Sequence, residues 1–370
     1  MDEISIAEIC GFKIGQAQNF EAATGCTVII CEEGAVCGVD VRGGSPGTRD
    51  TDALNPVNNR EKVHAVMLSG GSSFGLDAAG GVMSFLEEKQ IGRNVAVTVV
   101  PNVCAAILFD LKCGSADVRP DIAMGRAACE DAFSQQVWKS GNYGAGTGAT
   151  LGTIGGIDLA MKGGIGSSAF RQGDLYVGAV IAVNCIGDIY DNKSGVIIAG
   201  ARTADGKAFA DTEKLVLDQY KDTADFYSGD TDSDNTCGGN TDSNNTCSGI
   251  ADSGNTCGGN TVIGCILTNA DLTKAQATKL AALGQNGIAR TVRPAHTVYD
   301  GDTIFTMCTG EVSANLDAVG ILACKAVEIA IIDAVKSAAS FDIYPSAVDF
   351  NKGFPGLNKN APVSATVFRP

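Results

Sequence analysis

The chain reads as a layered α/β sandwich, and three observations point there. β runs and helical patterns alternate over most of the length, with several β runs in direct succession. The runs at 175–186 (LYVGAVIAVNCI) and 261–269 (TVIGCILTN) are apolar at most positions, the pattern of strands covered on both faces. Apolar residues make up 45% and charged residues 19% of the 370 residues, which supports a sizeable core.

In chain order, 27–31 and 35–40 read as a hairpin with Glu32, Glu33 and Gly34 at its turn. The segment 43–56 (GGSPGTRDTDALNP) is too polar and Gly/Pro-rich for a strand and reads as a long ordered loop. A short apolar strand, 64–68, runs through a Ser/Gly turn into a helix from about 76 to 88. The run 94–100 (NVAVTVV) reads as a clean strand ending at Pro101, and 120–134 as a helix. The β character of 175–186 resumes at 195–199.

Three copies of a decapeptide follow: TDSDNTCGGN, TDSNNTCSGI and ADSGNTCGGN, spanning 231–260. They contain no large apolar residue that recurs, so they are neither a core nor a solenoid, and 230–260 reads as a flexible loop. The character changes at Thr261. After the strand it opens, Thr273 and Gln276 form a capping-box pair. The helix beyond carries Ala277, Leu280, Ala281, Gly284 and Ile288 on one face. A strand at 302–308, a long helix at about 315–339 and a proline-rich tail complete the chain.

The net charge of −15 argues against nucleic acid or an anionic membrane as partner, since both need basic patches. No run of 18 apolar residues predicts a membrane span, and the acidic N-terminus is not that of a signal peptide. The expectation is a cytoplasmic protein whose 14 cysteines are mostly reduced, buried thiols; no CxxC pair marks a zinc site. Two histidines, His64 and His296, are too few for a multi-histidine metal site; His64 reads as structural, and His296, four residues before Asp300, as structural first with an active-site contact as the alternative.

The junction at Asn260–Thr261 has chemical content. A polar loop ends there, and the next residue is a hydroxyl residue at the head of a buried strand. Cleavage at that bond would free the α-amine of Thr261 beside its own Oγ, a complete nucleophile–base unit that needs no histidine. Gly258 and Gly259 would let the preceding backbone take up a strained geometry. Other Asn-Thr pairs occur within the repeats, but only Thr261 is followed by a strand.

Motifs over nearly the whole chain carry a resemblance. They are GGSPGTRDTD (43–52), HAVMLSGGSSFGLDAAGGVMSFLEE (64–88), PNVCAAILFDL (101–111), GNYGAGTGATLG (141–152), MKGGIGS (161–167), VGAVIAVNCIGD (177–188), GGNTVIGCILTNADLTKAQ (258–276) and HTVYDGDTIFTMCTG (296–310). In these the chain resembles the self-processing aminopeptidases that include D-aminopeptidase/esterase and the β-peptidyl aminopeptidases. The resemblance implies a four-layer αββα sandwich of N-terminal-nucleophile-hydrolase type. It also implies one catalytic domain over 1–370, self-cleaved into 1–260 and 261–370, with Thr261 as catalytic nucleophile. Asn184 matches the asparagine that supports the nucleophile and the oxyanion region. Asp302 matches the acidic residue paired with the nucleophile's amine. Asp300 stands where some members have serine, and a second carboxylate there would disfavour ionisation of one of the two. The resemblance further implies small peptide, amide or ester substrates, no metal or organic cofactor, and a homo-oligomer, commonly a tetramer.

Particular residues admit other readings. The cluster 144–149 (GAGTGA) formally fits a dinucleotide fingerprint, but no apolar strand precedes it, and a substrate-pocket wall with free backbone N–H groups fits better. Arg49 is a candidate for a substrate carboxylate or a surface ion pair. Asp230, Asp232 and Asp234 imitate the start of a calcium loop but lack its glycine and its final glutamate. Acyl transfer of the ornithine-acetyltransferase type and an uncleaved binding scaffold are the rival functions.

Overall fold

The computed structural model describes residues 1–134, 137–222 and 259–352. Ten strands form one continuous hydrogen-bonded sheet that folds into two layers. In chain order they are β1 (Asp2–Ile4), β2 (Lys13–Asn19), β3 (Thr24–Val41), β4 (Thr48–Arg49), β5 (Lys62–Ser69), β6 (Val103–Ile107), β7 (Gly164–Gln172), β8 (Leu175–Asn184), β9 (Thr261–Ala270) and β10 (Thr303–Val312). The main helices are α1 (Ala78–Glu88), α2 (Ile122–Phe133), α3 (Lys274–Thr291) and α4 (Leu316–Lys336). The spatial order is β1-β7-β8-β9-β10-β3-β5-β6-β4, with β2 also paired to β3.

The long strand β3 joins the layers. Its first half, Cys26 to Ile30, pairs with β5 and β2, whereas its second half, Val36 to Val41, pairs with β10. The hairpin expected at 27–40 is therefore one strand. Both halves also lie against β5, and the register slips between Ile30 and Ala35, so Glu32, Glu33 and Gly34 form a bulge rather than a turn.

Side-chain alternation builds four layers around three cores. On β8, Val177, Ala179, Ile181 and Val183 face outward to α3 and α4, where they meet Leu280, Ile288, Val327 and Ile331. Val180 and Ala182 face inward, together with Ile263, Cys265 and Leu267 of β9 and Phe305 and Met307 of β10. There they meet Ile29 of β3, Val66 and Leu68 of β5, and Cys104 of β6. The other face of this second layer (Cys26, Val28, Ile30, Ala65, Met67) packs on Val82, Phe85, Leu86, Ala128 and Cys129 of α1 and α2. This is the αββα sandwich, and strands buried on both faces account for the near-continuous apolar runs.

The helix after β9 begins at the expected capping box: Thr273 Oγ1 accepts from Gln276 N–H, and Gln276 Oε1 accepts from Thr273 N–H. The run at 94–100 corrects the expectation of a core strand. Only two-residue strands form there, Arg93–Asn94 and Val99–Val100, and Val97 is 91% exposed. The core strand is instead β6, directly after Pro101, because its residues alternate between two cores. All of the described cysteines except Cys10 are buried, and all are free. No helix among the described residues is long and apolar enough to cross a membrane. The repeats up to residue 258, with their Asp-rich and cysteine positions, and the tail beyond 352 lie outside the described residues.

Candidate active site

Several strand ends meet at one edge of the first sheet. β8 ends at Asn184 and β9 starts at Thr261, and in the antiparallel register these two residues face each other. β10 runs parallel to β9, so its start also lies at this edge, with Thr303 opposite Ile263. One further bridge pairs Asn260 with Asp300. Val41, the last residue of β3, pairs with Thr303 and delivers the Gly/Pro loop after it to the same place. Sheet topology therefore gathers Asn184, Asn260, Thr261, Asp300 and Asp302 from three distant segments. All five are essentially buried, Thr261 at 2% exposure and both aspartates at 1%.

The Asn260–Thr261 peptide sits in a cage of hydrogen bonds. Thr261 Oγ1 donates to the carbonyl oxygen of Asn260, one residue before it. The same oxygen accepts from Gly301 N–H at 2.8 Å, and Asn260 N–H donates to Tyr299 O at 3.3 Å. The Asn260 side chain accepts from Thr153 Oγ1 at 2.8 Å. Asn184 Nδ2 donates to Gly259 O at 3.2 Å, and its Oδ1 accepts from Thr150 N–H at 2.9 Å. Asn184 thus holds the carbonyl one residue upstream of the Asn260–Thr261 bond. The donor on the Asn260 carbonyl is Gly301.

Two glycines are required by close approach. Gly259 has φ +79°, and a Cβ there would meet the Phe109 Cβ at 2.4 Å. A Cβ on Gly301 would meet Thr261 Oγ1 and Ser45 O, each at 2.9 Å. The 43–56 loop is pinned to this turn: Arg42 N–H donates to Asp302 O at 2.9 Å, and Ser45 N–H to Asp300 O at 2.9 Å.

The two aspartates occupy different surroundings. Asp302 Oδ1 accepts from Val262 N–H at 2.7 Å; its Oδ2 accepts from His296 N–H at 3.2 Å and lies 2.7 Å from His296 Nδ1. Asp300 Oδ2 accepts from Thr297 N–H at 2.9 Å and from Thr297 Oγ1 at 2.7 Å. Burial, and then the neighbouring Asp302 charge, push the Asp300 carboxyl up to about 7.

Sequence reasoning missed Gly301, whose backbone N–H has no side-chain signature; for His296, which touches Asp302, the second of its two readings, an active-site contact, is the one the geometry favours. Sequence reasoning also passed over Lys162. That side chain is fully buried and donates to Gly146 O, Ala149 O and Gly163 O at 3.1, 2.7 and 3.2 Å. It thereby braces the turn that carries Thr150, the partner of Asn184. The expected free N–H groups of 144–149 are largely engaged: Gly144 N–H donates to Gln18 Oε1, Ala145 N–H to Thr27 Oγ1 and Ala149 N–H to Gly146 O. This segment is a buried turn that leads into Thr150, the partner of Asn184. Arg49 has a guanidinium N–H 3.1 Å from Met83 Sδ on α1. His64 is structural, its Nδ1 accepting from Asn102 N–H at 3.1 Å.

Comparison with known proteins agrees with this architecture. The sequence pattern of Peptidase family S58 matches residues 5–346, and the chain belongs to that family. It is 34% identical to an uncharacterized aminopeptidase of Mycobacterium leprae over 85% of this chain and 81% of that one. It is 29% identical to a 6-aminohexanoate-oligomer endohydrolase of Paenarthrobacter ureafaciens, over 88% and 84% of the two chains. Among solved structures it is similar to the L-aminopeptidase D-Ala-esterase/amidase of Ochrobactrum anthropi, described as a variant of the Ntn hydrolase fold. The TM-score is 0.64 at 16% identity, over 94% of this chain and 92% of that one.

Proposed function

We propose that this member of peptidase family S58 is a self-processing aminopeptidase or amidohydrolase, with Thr261 as the residue that cuts the chain and then serves as nucleophile. The observation that carries the reading is the pair of contacts on one oxygen. Thr261 Oγ lies against the Asn260 carbonyl, and Gly301 N–H donates to that carbonyl's oxygen. In the processing step Thr261 Oγ bonds to the Asn260 carbonyl carbon, and Gly301 N–H stabilises the oxyanion. The carbon–nitrogen bond breaks, the hydroxyl proton passes to the Thr261 nitrogen, and an ester remains. Water hydrolyses it, restoring the Thr261 hydroxyl and leaving the fragments 1–260 and 261–370 together as one catalytic domain.

The freed Thr261 amine then acts as base for its own Oγ in attack on a substrate carbonyl. It passes the proton to the leaving amine, and water releases the acyl group from the threonine. Asn184 and Gly301 support the carbonyl region. Asp302, assisted by Asp300, orients the amine. The substrates are small peptides, amides or esters cut at their N-terminal residue. The endohydrolase relatives make ω-amino acid oligomers a necessary part of the screen. A cytoplasmic homo-oligomer, tetrameric, completes the reading; light scattering on a sizing column measures the assembly.

The deciding experiment is intact mass and N-terminal sequencing of the purified protein beside Thr261→Ala. Two fragments, one beginning Thr-Val-Ile-Gly, with the variant left whole, are expected. A wild-type chain that stays at full length refutes the reading.

A further inference from the structure

His296 is the described group at this site whose chemistry the reaction above leaves unused. Asp302 is 1% exposed, so water does not orient its carboxylate and its neighbours do. Its Oδ1 grips Val262 N–H, the first peptide beyond the nucleophile, at 2.7 Å. Its Oδ2 receives two contacts from one residue, the His296 backbone N–H at 3.2 Å and the His296 ring Nδ1 at 2.7 Å. A left-handed backbone at His296, φ +57°, turns ring and amide toward the same oxygen. We assign the proton of this contact to Nδ1, the ring donating to Asp302 Oδ2 as the backbone N–H beside it does. Among the described residues, the other ring nitrogen, Nε2, is buried without a hydrogen-bond partner, and the ring's hydrogen bonding is directed at Asp302.

We propose that His296 is a positioning residue of the Thr261 site: its Nδ1–H orients Asp302 so that the opposite oxygen holds the Val262 amide. That hold sets the first peptides of β9, and with them the direction of Thr261 Oγ toward the Asn260 carbonyl. The inference rests on the Thr261 reading and adds a residue to it.

The test is the first-order rate of self-cleavage of the full chain, followed by intact mass after rapid synthesis, with thermal midpoints measured in parallel. Three variants separate the donor from the backbone. His296→Gly removes the ring at a position where glycine suits the left-handed conformation. His296→Asn and His296→Asp are close in shape and both tolerate that conformation, but only asparagine offers an N–H. The expected result is a fall of roughly 10- to 100-fold for His296→Gly and His296→Asp, on the scale of a nucleophile misplaced by a fraction of an ångström. His296→Asn should recover most of the rate. A wild-type rate in His296→Gly, or equal rates in His296→Asn and His296→Asp, overturns the proposal. If His296→Gly does not fold, the Asn/Asp pair decides alone. Wild type and Thr261→Ala run beside them. A wild-type chain that never cleaves, or a Thr261→Ala chain that does, sinks the Thr261 reading itself. Cleavage that needs Thr261 but ignores His296 sinks only this inference.

Discussion

Gly301→Ala is a direct test of the geometry at Thr261. Gly301 is not among the residues with positive φ, so alanine adds no backbone strain there and the change is purely steric. The new Cβ would stand 2.9 Å from Thr261 Oγ1, 2.9 Å from Ser45 O and 3.3 Å from Pro46 Cα. Ordinary contacts begin about half an ångström further out, so something must move by roughly that amount. Ser45 retreats poorly, because its N–H donates to Asp300 O at 2.9 Å and its Oγ to Val298 O at 2.8 Å. The strain therefore falls on Thr261 Oγ and on the Gly301 N–H that holds the Asn260 oxygen. A 1 Å misplacement costs about 100-fold in rate, so half of that costs about tenfold, or ~1.4 kcal/mol of barrier. Overpacking lowers stability by roughly 1–3 kcal/mol. The assay is conversion of full-length chain to fragments over time, with the thermal midpoint confirming that the variant is folded. Cleavage by a folded Gly301→Ala chain at the wild-type rate would falsify the argument that Thr261 Oγ and Gly301 N–H are held in a reactive arrangement.

Asp300→Asn should show a pH-dependent stability gain. The folded carboxyl is raised to about 7 from an ordinary 3.8, so the folded state binds the extra proton between those values. The stability it contributes is full below about pH 4 and is lost as pH rises through 7, at most on the order of 4 kcal/mol. Melting curves of the variant minus wild type should thus rise between about pH 4 and 7 and level off above that, and a flat difference contradicts the shift. Lys162→Met removes the ammonium from three buried carbonyl oxygens, of which Gly146 O and Ala149 O keep a backbone N–H donor. A loss of about 1–3 kcal/mol is expected, with slower cleavage because the Thr150 turn that holds Asn184 loosens; an unchanged denaturant midpoint counts against that brace. Thr273→Ala removes the helix cap and should cost about 1 kcal/mol while self-cleavage keeps its wild-type rate, since the cap is remote from Thr261. A slowed cleavage at unchanged stability would tie that cap to the site.

Much of the fold was legible because burial on both faces writes long apolar runs, as in β8 and β9, and because a capping box is a local, four-residue arrangement. The misreadings occurred where local pattern and pairing disagree. Glu32, Glu33 and Gly34 look like a turn, yet both flanks of that segment lie along β5, and backbone pairing carries the strand through. Val95, Val97 and Val99 alternate like a strand, yet no sheet or helix covers Val97.

Thr261 stood out in the chain itself, because a hydroxyl residue opens a strand after a polar loop, whereas Asn184, Asp300 and Asp302 became candidates only through the resemblance of their motifs to the family. Their assembly was not legible in the sequence. Asn184 meets Thr261 through an antiparallel register, and Asp300 meets Asn260 through a parallel one. Those registers follow from how three cores share the faces of the two sheet layers. The donor on the Asn260 oxygen is a backbone N–H, and the partner of Asp302 is a histidine six residues earlier in the chain turned by a left-handed backbone. A main-chain group is the same at every position, so only the three-dimensional path of the chain decides which one faces the Asn260–Thr261 bond.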